Sequence, residues 1–256
     1  MMPILFHIAP GASIHSGHFM IFLGGLVAIL LTVIEMKRVE ERPGKIYPLL
    51  LILFFSAISG ARILFWISSY DTDHFNFIGL LKFWHGGMSL YGGAILGCIM
   101  YVIYAFWQRL DVWKVADMLA PSVAVFIFFA RIGCLLAGCC YGRPCGPGFF
   151  LAVTFRDPVA VAPKDTPLYP TQLLFAASAL MLFYILWLRR RKKTFEGEIS
   201  LIGALILSVT SFFVEFFRGD ARTFHEIFGT SLSQNQVVSA VLFVSSLMLY
   251  AYRRGE

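Results

Sequence analysis

Arg131, Glu215 and Arg62 stand inside long apolar runs of this chain. There a charge costs about 2.5–3.5 kcal/mol on insertion scales and needs a compensating role. Arg131 lies about two-thirds along the run 115–138. Glu215 sits near the end of the run 198–217, in Phe212-Phe213-Val214-Glu215-Phe216-Phe217-Arg218, and Arg62 sits near the end of the run 47–67. Glu215 and Arg218 are three residues apart and share one face of a helix. The charges admit two readings. One is a structural ion pair between Glu215 and an arginine. The other is a charged pocket for a polar group entering from lipid, where a phosphate would call for the planar donor fork of Arg. For Arg62 the favoured reading is a side chain that snorkels to the membrane interface.

Two further clusters have chemical potential. The stretch His85-Gly86-Gly87-Met88-Ser89-Leu90-Tyr91-Gly92-Gly93 combines glycines with polar side chains. Glycine serves close helix packing in membranes and unusual turns, while His85, Ser89 and Tyr91 suggest a loop that faces a substrate. Cys134, Cys139, Cys140 and Cys145 follow a C-x4-CC-x4-C spacing, with Cys98 apart from them. That spacing matches no common zinc or iron–sulfur pattern. It leaves three readings open: small buried hydrophobes, one disulfide on an oxidising side, or metal binding and thiol chemistry.

The elements that must position these residues follow from composition. The chain has 256 residues, 58% of them hydrophobic and only 14% charged, with 26 phenylalanines. Soluble proteins carry about 25% charged residues, and a soluble fold of this size could not cover so much apolar surface. Disorder and collagen-like repeats are excluded for the same reason. The pattern predicts an all-α, polytopic membrane protein of seven spans, each needing roughly 20 apolar residues: 17–36, 47–67, 89–107, 115–138, 169–188, 198–217 and 236–252. One integral membrane domain covers 1–256, with no internal repeat, and the first run reads as a retained span, since no basic n-region precedes it and no small-residue cleavage site follows it. The net charge of +6 lies in the connections between spans as in membrane loops, without the basic stripe and interleaved aromatics of a nucleic-acid binder. Thirteen of the 21 Lys and Arg fall on one side and six on the other, so the N-terminus is expected outside and the C-terminus in the cytoplasm. The longer connections 68–88, 139–168 and 218–235 then face outward, and all six histidines lie on or near that side. Gly79-Leu80-Leu81-Lys82-Phe83-Trp84 reads as a short interfacial helix.

These residues, in this order, resemble the prolipoprotein diacylglyceryl transferase family over nearly the whole chain. Phe6-His7-Ile8-Ala9-Pro10 with Ser13-Ile14-His15 is similar to the family's opening, and Gly60-Ala61-Arg62 to its second-span segment. Gly86 to Gly93 resembles its glycine motif, and Arg131-Ile132-Gly133 through Gly142-Arg143-Pro144 its signature. Tyr169-Pro170-Thr171-Gln172-Leu173, Val214-Glu215-Phe216-Phe217-Arg218 and Leu232-Ser233-Gln234-Asn235-Gln236-Val237-Val238-Ser239 resemble its three later motifs.

The resemblance implies a multi-pass enzyme of the bacterial cytoplasmic (inner) membrane. It would move the diacylglyceryl group of phosphatidylglycerol onto the lipobox cysteine of a prolipoprotein, releasing glycerol phosphate, with no metal or organic cofactor. Phosphatidylglycerol, other membrane lipid and a lipobox peptide are the implied partners; nucleic acid is not. By the same resemblance Arg131, Tyr91 and Glu215 would be catalytic. Arg131 would hold the lipid phosphate, Tyr91, at a position that is His in some members, would donate a hydrogen bond or move a proton, and Glu215 would orient arginines or the lipid head. Arg62, His85, Gly92, Gly142, Arg143, Gln172, Arg218 and Gln236 would line the substrate. The chain departs from the signature where its Asn, Asn and Glu are replaced by Cys134, Ala137 and Cys139. A later Arg is Ser211, the His before Pro170 is Tyr169, and the Tyr-Glu that usually follows is Leu174-Phe175. Arg143 and Arg222 are candidates to replace the missing Arg. The departures leave room for the same fold with another lipid or acceptor, or for a lipid-binding or transport protein without turnover.

Overall fold

The structure, a computed structural model, describes residues 16–67, 89–146, 148–220 and 232–255 in full, and the backbone alone of 4–9, 12–15, 68, 223–227 and 230–231. Among these residues there are seven helices: α1 (Ser16–Arg38), α2 (Pro43–Ser68), α3 (Leu90–Trp107), α4 (Val112–Ala137), α5 (Thr171–Arg189), α6 (Glu198–Glu215) and α7 (Gln234–Gly255). All seven are long and apolar enough to cross a membrane, and each falls within a few residues of a predicted span. Their outer faces carry large apolar side chains in the open, such as Phe22 (63% exposed) and Phe106 (72%). In water those faces would be costly; in hydrocarbon they are at home. Two short antiparallel hairpins, β1 (Ile4–Ala9) with β2 (Ala12–His15) and β3 (Thr223–Ile227) with β4 (Thr230–Ser233), are the regular elements that the all-helical reading omits.

Local sequence explains the helix ends. Pro43 opens α2 at the first helical position, where its missing N–H is no loss. Asp111 caps α4: its Oδ1 accepts the backbone N–H groups of Trp113 (2.9 Å) and Lys114 (3.0 Å). Ser233 and Gln236 form a reciprocal capping box before α7. The Ser233 Oγ accepts the Gln236 N–H (3.2 Å), and the Gln236 Oε1 accepts the Ser233 N–H (2.9 Å).

The chain falls into two compact units, residues 34–115 and residues 1–33 with 116–256. In the first, α2 and α3 cross with backbones nearly touching. A Cβ on Gly92 would lie 2.1 Å from the Gly60 carbonyl oxygen, and one on Gly60 would lie 2.3 Å from the Gly92 oxygen. Further along, the Tyr104 hydroxyl donates to the Lys45 carbonyl (2.9 Å), and Lys114 pairs with Glu41 at 2.7 Å.

In the second unit α1 packs on α4 through Gly17, Gly24 and Gly133, and the Thr32 hydroxyl donates to Ser122 Oγ at 2.9 Å. Buried Asp117 pins the turn between α5 and α6. Its carboxylate accepts the N–H groups of Gly197 and Ser200, both at 2.9 Å, and the Lys193 ammonium at 3.2 Å. Ala124, Leu182, Leu186 and Ile199 form the apolar core among α4, α5 and α6. The connection 139–168 folds into a small layer around Val153, Phe155, Ala162 and Leu168. It is held by backbone bridges that join Leu168 to Pro144 and to Val153.

Candidate functional site

The larger unit gathers most of the expected residues where α4 and α6 end and α5 and α7 begin. Helix α4 closes in a Schellman motif: the Cys139 N–H donates to the Cys134 carbonyl (3.1 Å) and the Gly138 N–H to the Leu135 carbonyl (3.3 Å). Gly138 takes the left-handed conformation this cap requires, with φ +72°. The motif brings together the side chains of the residue four before its glycine and the residue just after it, and here these are Cys134 and Cys139. Cys140 is itself left-handed (φ 56°), a conformation that is uncommon outside glycine and costs free energy. As a result the sulfurs of Cys134, Cys139 and Cys140 all lie within 4.8 Å of one another. All five cysteines are free thiols; Cys145 is buried and stands outside this trio, and Cys98 is exposed on α3.

Helix α5 holds the doublet in place. The Gln172 Nε2 donates to the Cys139 carbonyl and the Thr171 Oγ1 to the Cys140 carbonyl, both at 2.9 Å, from fully buried side chains. The other amide atom of Gln172, Oε1, is buried with no hydrogen-bond partner among the described residues. The charge balance favours the thiolate at Cys140. The neighbouring Cys134 and Cys139 thiols, then the Arg218 and Arg131 guanidiniums, act on it against burial, so its thiol is held well below the ordinary range. The same pairing pushes the Cys139 thiol up, through Cys134 and then Cys140.

Arg131 is half-buried, its guanidinium stacked 4.2 Å from the centre of the Phe175 ring. It makes no hydrogen bond or ion pair among the described residues. Its donors are therefore available to an anion.

Glu215 is the opposite case. Its Oε1 accepts from Ser233 Oγ (3.1 Å) and Asn235 Nδ2 (2.8 Å), and its Oε2 pairs with Arg218 at 3.3 Å. This is the structural ion-pair reading, extended: the carboxylate ties the end of α6 to the capped start of α7. Arg218 also grips Asp220, Nε to Oδ1 at 2.6 Å. Burial lowers its pKa, but the hydrogen bond to Asp220, then the charges of Cys140, Asp220 and Glu215, raise it above its ordinary value on balance.

Several expected substrate contacts have packing or capping roles instead. A Cβ on Gly142 would stand 2.2 Å from the Tyr169 oxygen, and one on Gly219 would stand 2.7 Å from the Gly142 oxygen, so these glycines allow three strands of backbone to touch. The Arg143 N–H donates to Phe217 O (2.8 Å) and its carbonyl accepts from Tyr169 N (3.0 Å), while its side chain is exposed and does not reach inward. Gln236 is the capping partner of Ser233 rather than a free amide. In the other unit, Gly92 is the α2–α3 contact and Tyr91 is half-buried in the first turn of α3. Arg62 is buried at 6% exposure near the Phe65 ring, which corrects the snorkelling expectation. His85, the interfacial helix at 79–84 and Arg222 lie outside the residues whose side chains are described.

Asp220, Thr171, Ser233 and Asn235 were missed from sequence. The Ser233-x-x-Gln236 spacing ahead of an apolar run was a readable capping signal; nothing local marks Asp220.

Comparison with known proteins identifies the family. A family described as prolipoprotein diacylglyceryl transferase matches residues 3–252. A phosphatidylglycerol–prolipoprotein diacylglyceryl transferase of Clostridium tetani is 33% identical over 226 residues, covering 87% of each chain. A second such transferase, numbered 2, of Clostridium perfringens is 31% identical over 244 residues, covering 94% of this chain and 91% of the relative. One from Streptococcus uberis is 30% identical over 263 residues, covering 99% and 96%.

Proposed function

The chain belongs to the prolipoprotein diacylglyceryl transferase family, and from that premise we propose that it transfers the diacylglyceryl group of phosphatidylglycerol to the lipobox cysteine of a prolipoprotein. The bond that forms is a thioether; the bond that breaks joins the glyceryl carbon to phosphate oxygen, and glycerol phosphate leaves with the electron pair. The nucleophile is the substrate's thiol. What the enzyme must supply is a held donor, stabilised negative charge on the leaving phosphate, and exclusion of water. The basic connections favour an outside N-terminus, which places the Arg131 end of the larger unit at the outer face of the bacterial cytoplasmic membrane, where secreted prolipoproteins arrive.

The observation that carries the reading is Arg131. It is a half-buried guanidinium in an apolar helix, oriented on Phe175, with no hydrogen bond and no carboxylate partner among the described residues. Its donors are left to a ligand, and a phosphodiester fits their fork. Arg218, by contrast, is occupied by Glu215 and Asp220. Glu215 then acts as a positioning residue, keeping Arg218 and the start of α7 in place. Gln172 holds the Cys139 carbonyl, and its unpaired Oε1 can accept from a glycerol hydroxyl. Tyr91 is proposed as a hydrogen-bond donor on the family resemblance alone.

The test is mass spectrometry on a reaction of the purified protein, phosphatidylglycerol and a lipobox peptide. A diacylglyceryl mass on the peptide cysteine, absent with Arg131→Ala, is the expected result. Folded protein that binds phosphatidylglycerol without modifying the peptide would refute it. That outcome would favour a different acceptor, the reading that Ser211 supports by standing where the family has an Arg.

A further inference from the structure

Cys134, Cys139 and Cys140 are arranged as donors. Two are set by the Schellman cap of α4 and the third by a left-handed residue whose carbonyl is fixed by buried Thr171. Three thiolates around a zinc-class ion at about 2.3 Å each stand about 3.8–4.0 Å apart. The observed sulfurs all lie within 4.8 Å of one another, within about 1 Å of that spacing. A disulfide would need two sulfurs at about 2.05 Å and would leave the third thiol over. The trio is half-buried rather than sealed, so three protein ligands leave a fourth position accessible, the arrangement of catalytic rather than structural sites. Three thiolates and a divalent ion carry one residual negative charge, and the cationic Arg131 stands three residues before Cys134 on the same helix.

We propose that Cys134, Cys139 and Cys140 bind one thiophilic, closed-shell cation of the zinc class, and that the acceptor cysteine's thiol enters as its fourth ligand. The second half rests on the proposed transferase reaction. A thiol on such an ion gives up its proton, which passes to solvent. The ion-bound thiolate attacks the glyceryl carbon, the carbon–oxygen bond to phosphate breaks, and its electron pair leaves on glycerol phosphate. Nothing is oxidised or reduced. The neutral thioether is a poorer ligand than the thiolate and departs, reopening the position. Cys134 and Cys139 stand where the resembled family signature has Asn and Glu, so the thiolate set is a feature of this chain's own residues.

The experiment uses the full chain in detergent. Elemental analysis is expected to find about one zinc per chain. Ser substitutions at Cys134, Cys139 or Cys140 should lose it, and those at Cys98 or Cys145 should keep it. A chelator-stripped wild type, refilled with Co2+, covers the case in which a variant fails to fold. It should show the sulfur-to-cobalt charge-transfer band of a thiolate site, and this band should grow when a lipobox peptide is added and not when its Ser analogue is. Stripping should slow peptide lipidation about tenfold or more, with zinc restoring it. Folded protein without metal, its three thiols free or two of them paired as a disulfide, overturns the site. A cobalt band that ignores the peptide overturns the acceptor role. Full lipidation by metal-free protein overturns the proposal while the transferase reading stands. A peptide-sensitive cobalt band without any lipidation upholds the proposal while that reading fails.

Discussion

Gly92→Ala separates packing from substrate contact at a position that sequence resemblance places beside the lipid. The added Cβ would sit 2.1 Å from the Gly60 carbonyl oxygen and 2.5 Å from the Leu64 Cβ. Ordinary contacts lie near 3.5 Å, so α2 and α3 must move apart by about 1 Å. The obstructing atoms are backbone and Cβ, which cannot rotate away. Separation also stretches the 2.9 Å hydrogen bond from the Ser89 N–H to the Ala61 carbonyl. Overpacking of this kind costs about 1–3 kcal/mol, and this rigid contact belongs at the upper end. Alanine's helix propensity returns about 1 kcal/mol, which leaves a net loss of about 2 kcal/mol. Gly97→Ala on the same helix meets nothing within 4 Å and should gain up to about 1 kcal/mol from propensity. Denaturant or thermal unfolding of both variants in one detergent, read beside peptide lipidation, is the assay. The reasoning predicts opposite signs in stability, with Gly92→Ala activity falling in step with the folded fraction. A Gly92→Ala protein as stable as Gly97→Ala but inactive would refute it and make Gly92 a substrate contact.

Arg131→Ala should lower peptide lipidation by about 10²–10³-fold, as loss of a preorganised charge does, without changing the folded yield, because only the Phe175 ring contact is lost; Arg131→Lys should recover little, since it lacks the fork. Asp117→Ala removes the acceptor of two backbone N–H groups and the Lys193 ammonium; it should destabilise by about 3 kcal/mol, visible as a lower unfolding midpoint with turnover per folded molecule unchanged. Glu215→Gln keeps one acceptor oxygen for Ser233 and Asn235 and leaves Arg218 with Asp220. The expected stability loss is therefore only about 1–2 kcal/mol, and a total loss of lipidation by well-folded protein would assign Glu215 a direct part in the chemistry.

The seven spans were legible because lipid imposes a length and a composition that few other constraints can imitate. The site was legible in parts. Arg131 and Glu215 stood out as charges in apolar runs, yet sequence could not tell the occupied one from the free one. That distinction depends on Asp220, Ser233 and Asn235, which reach the site from segments remote from Arg131 in sequence. Gln236 was read as a site amide although its spacing from Ser233 carried a cap signature. The thiol cluster was legible as a spacing with its chemistry left open, because known metal patterns count ligands along knuckles and ribbons. Here the geometry belongs to a helix terminus, and the readable mark was Gly138 at the end of an apolar run, which places the residue before the last turn's end beside the residue after the glycine.

The segment 131–142 separates geometry from chemistry residue by residue. Gly133 admits α1, its Cβ position lying 3.2 Å from the Gly17 oxygen; Gly138 turns the cap; Gly142 lets the Tyr169 backbone approach. Thr171 and Gln172 hold the segment through the carbonyls of Cys140 and Cys139, which any residue would offer. None of these contacts depends on the side chains at 134, 139 and 140. Those side chains can change from amide and carboxylate to thiol while the backbone keeps its course, and they are the ones that the cap turns toward one another. A scaffold held by glycines and main-chain carbonyls leaves its inward-facing positions free to vary in donor type. On the proposed reading, the thiols of Cys134 and Cys139 set the donors offered to the acceptor, while the contacts that hold their backbone do not involve them.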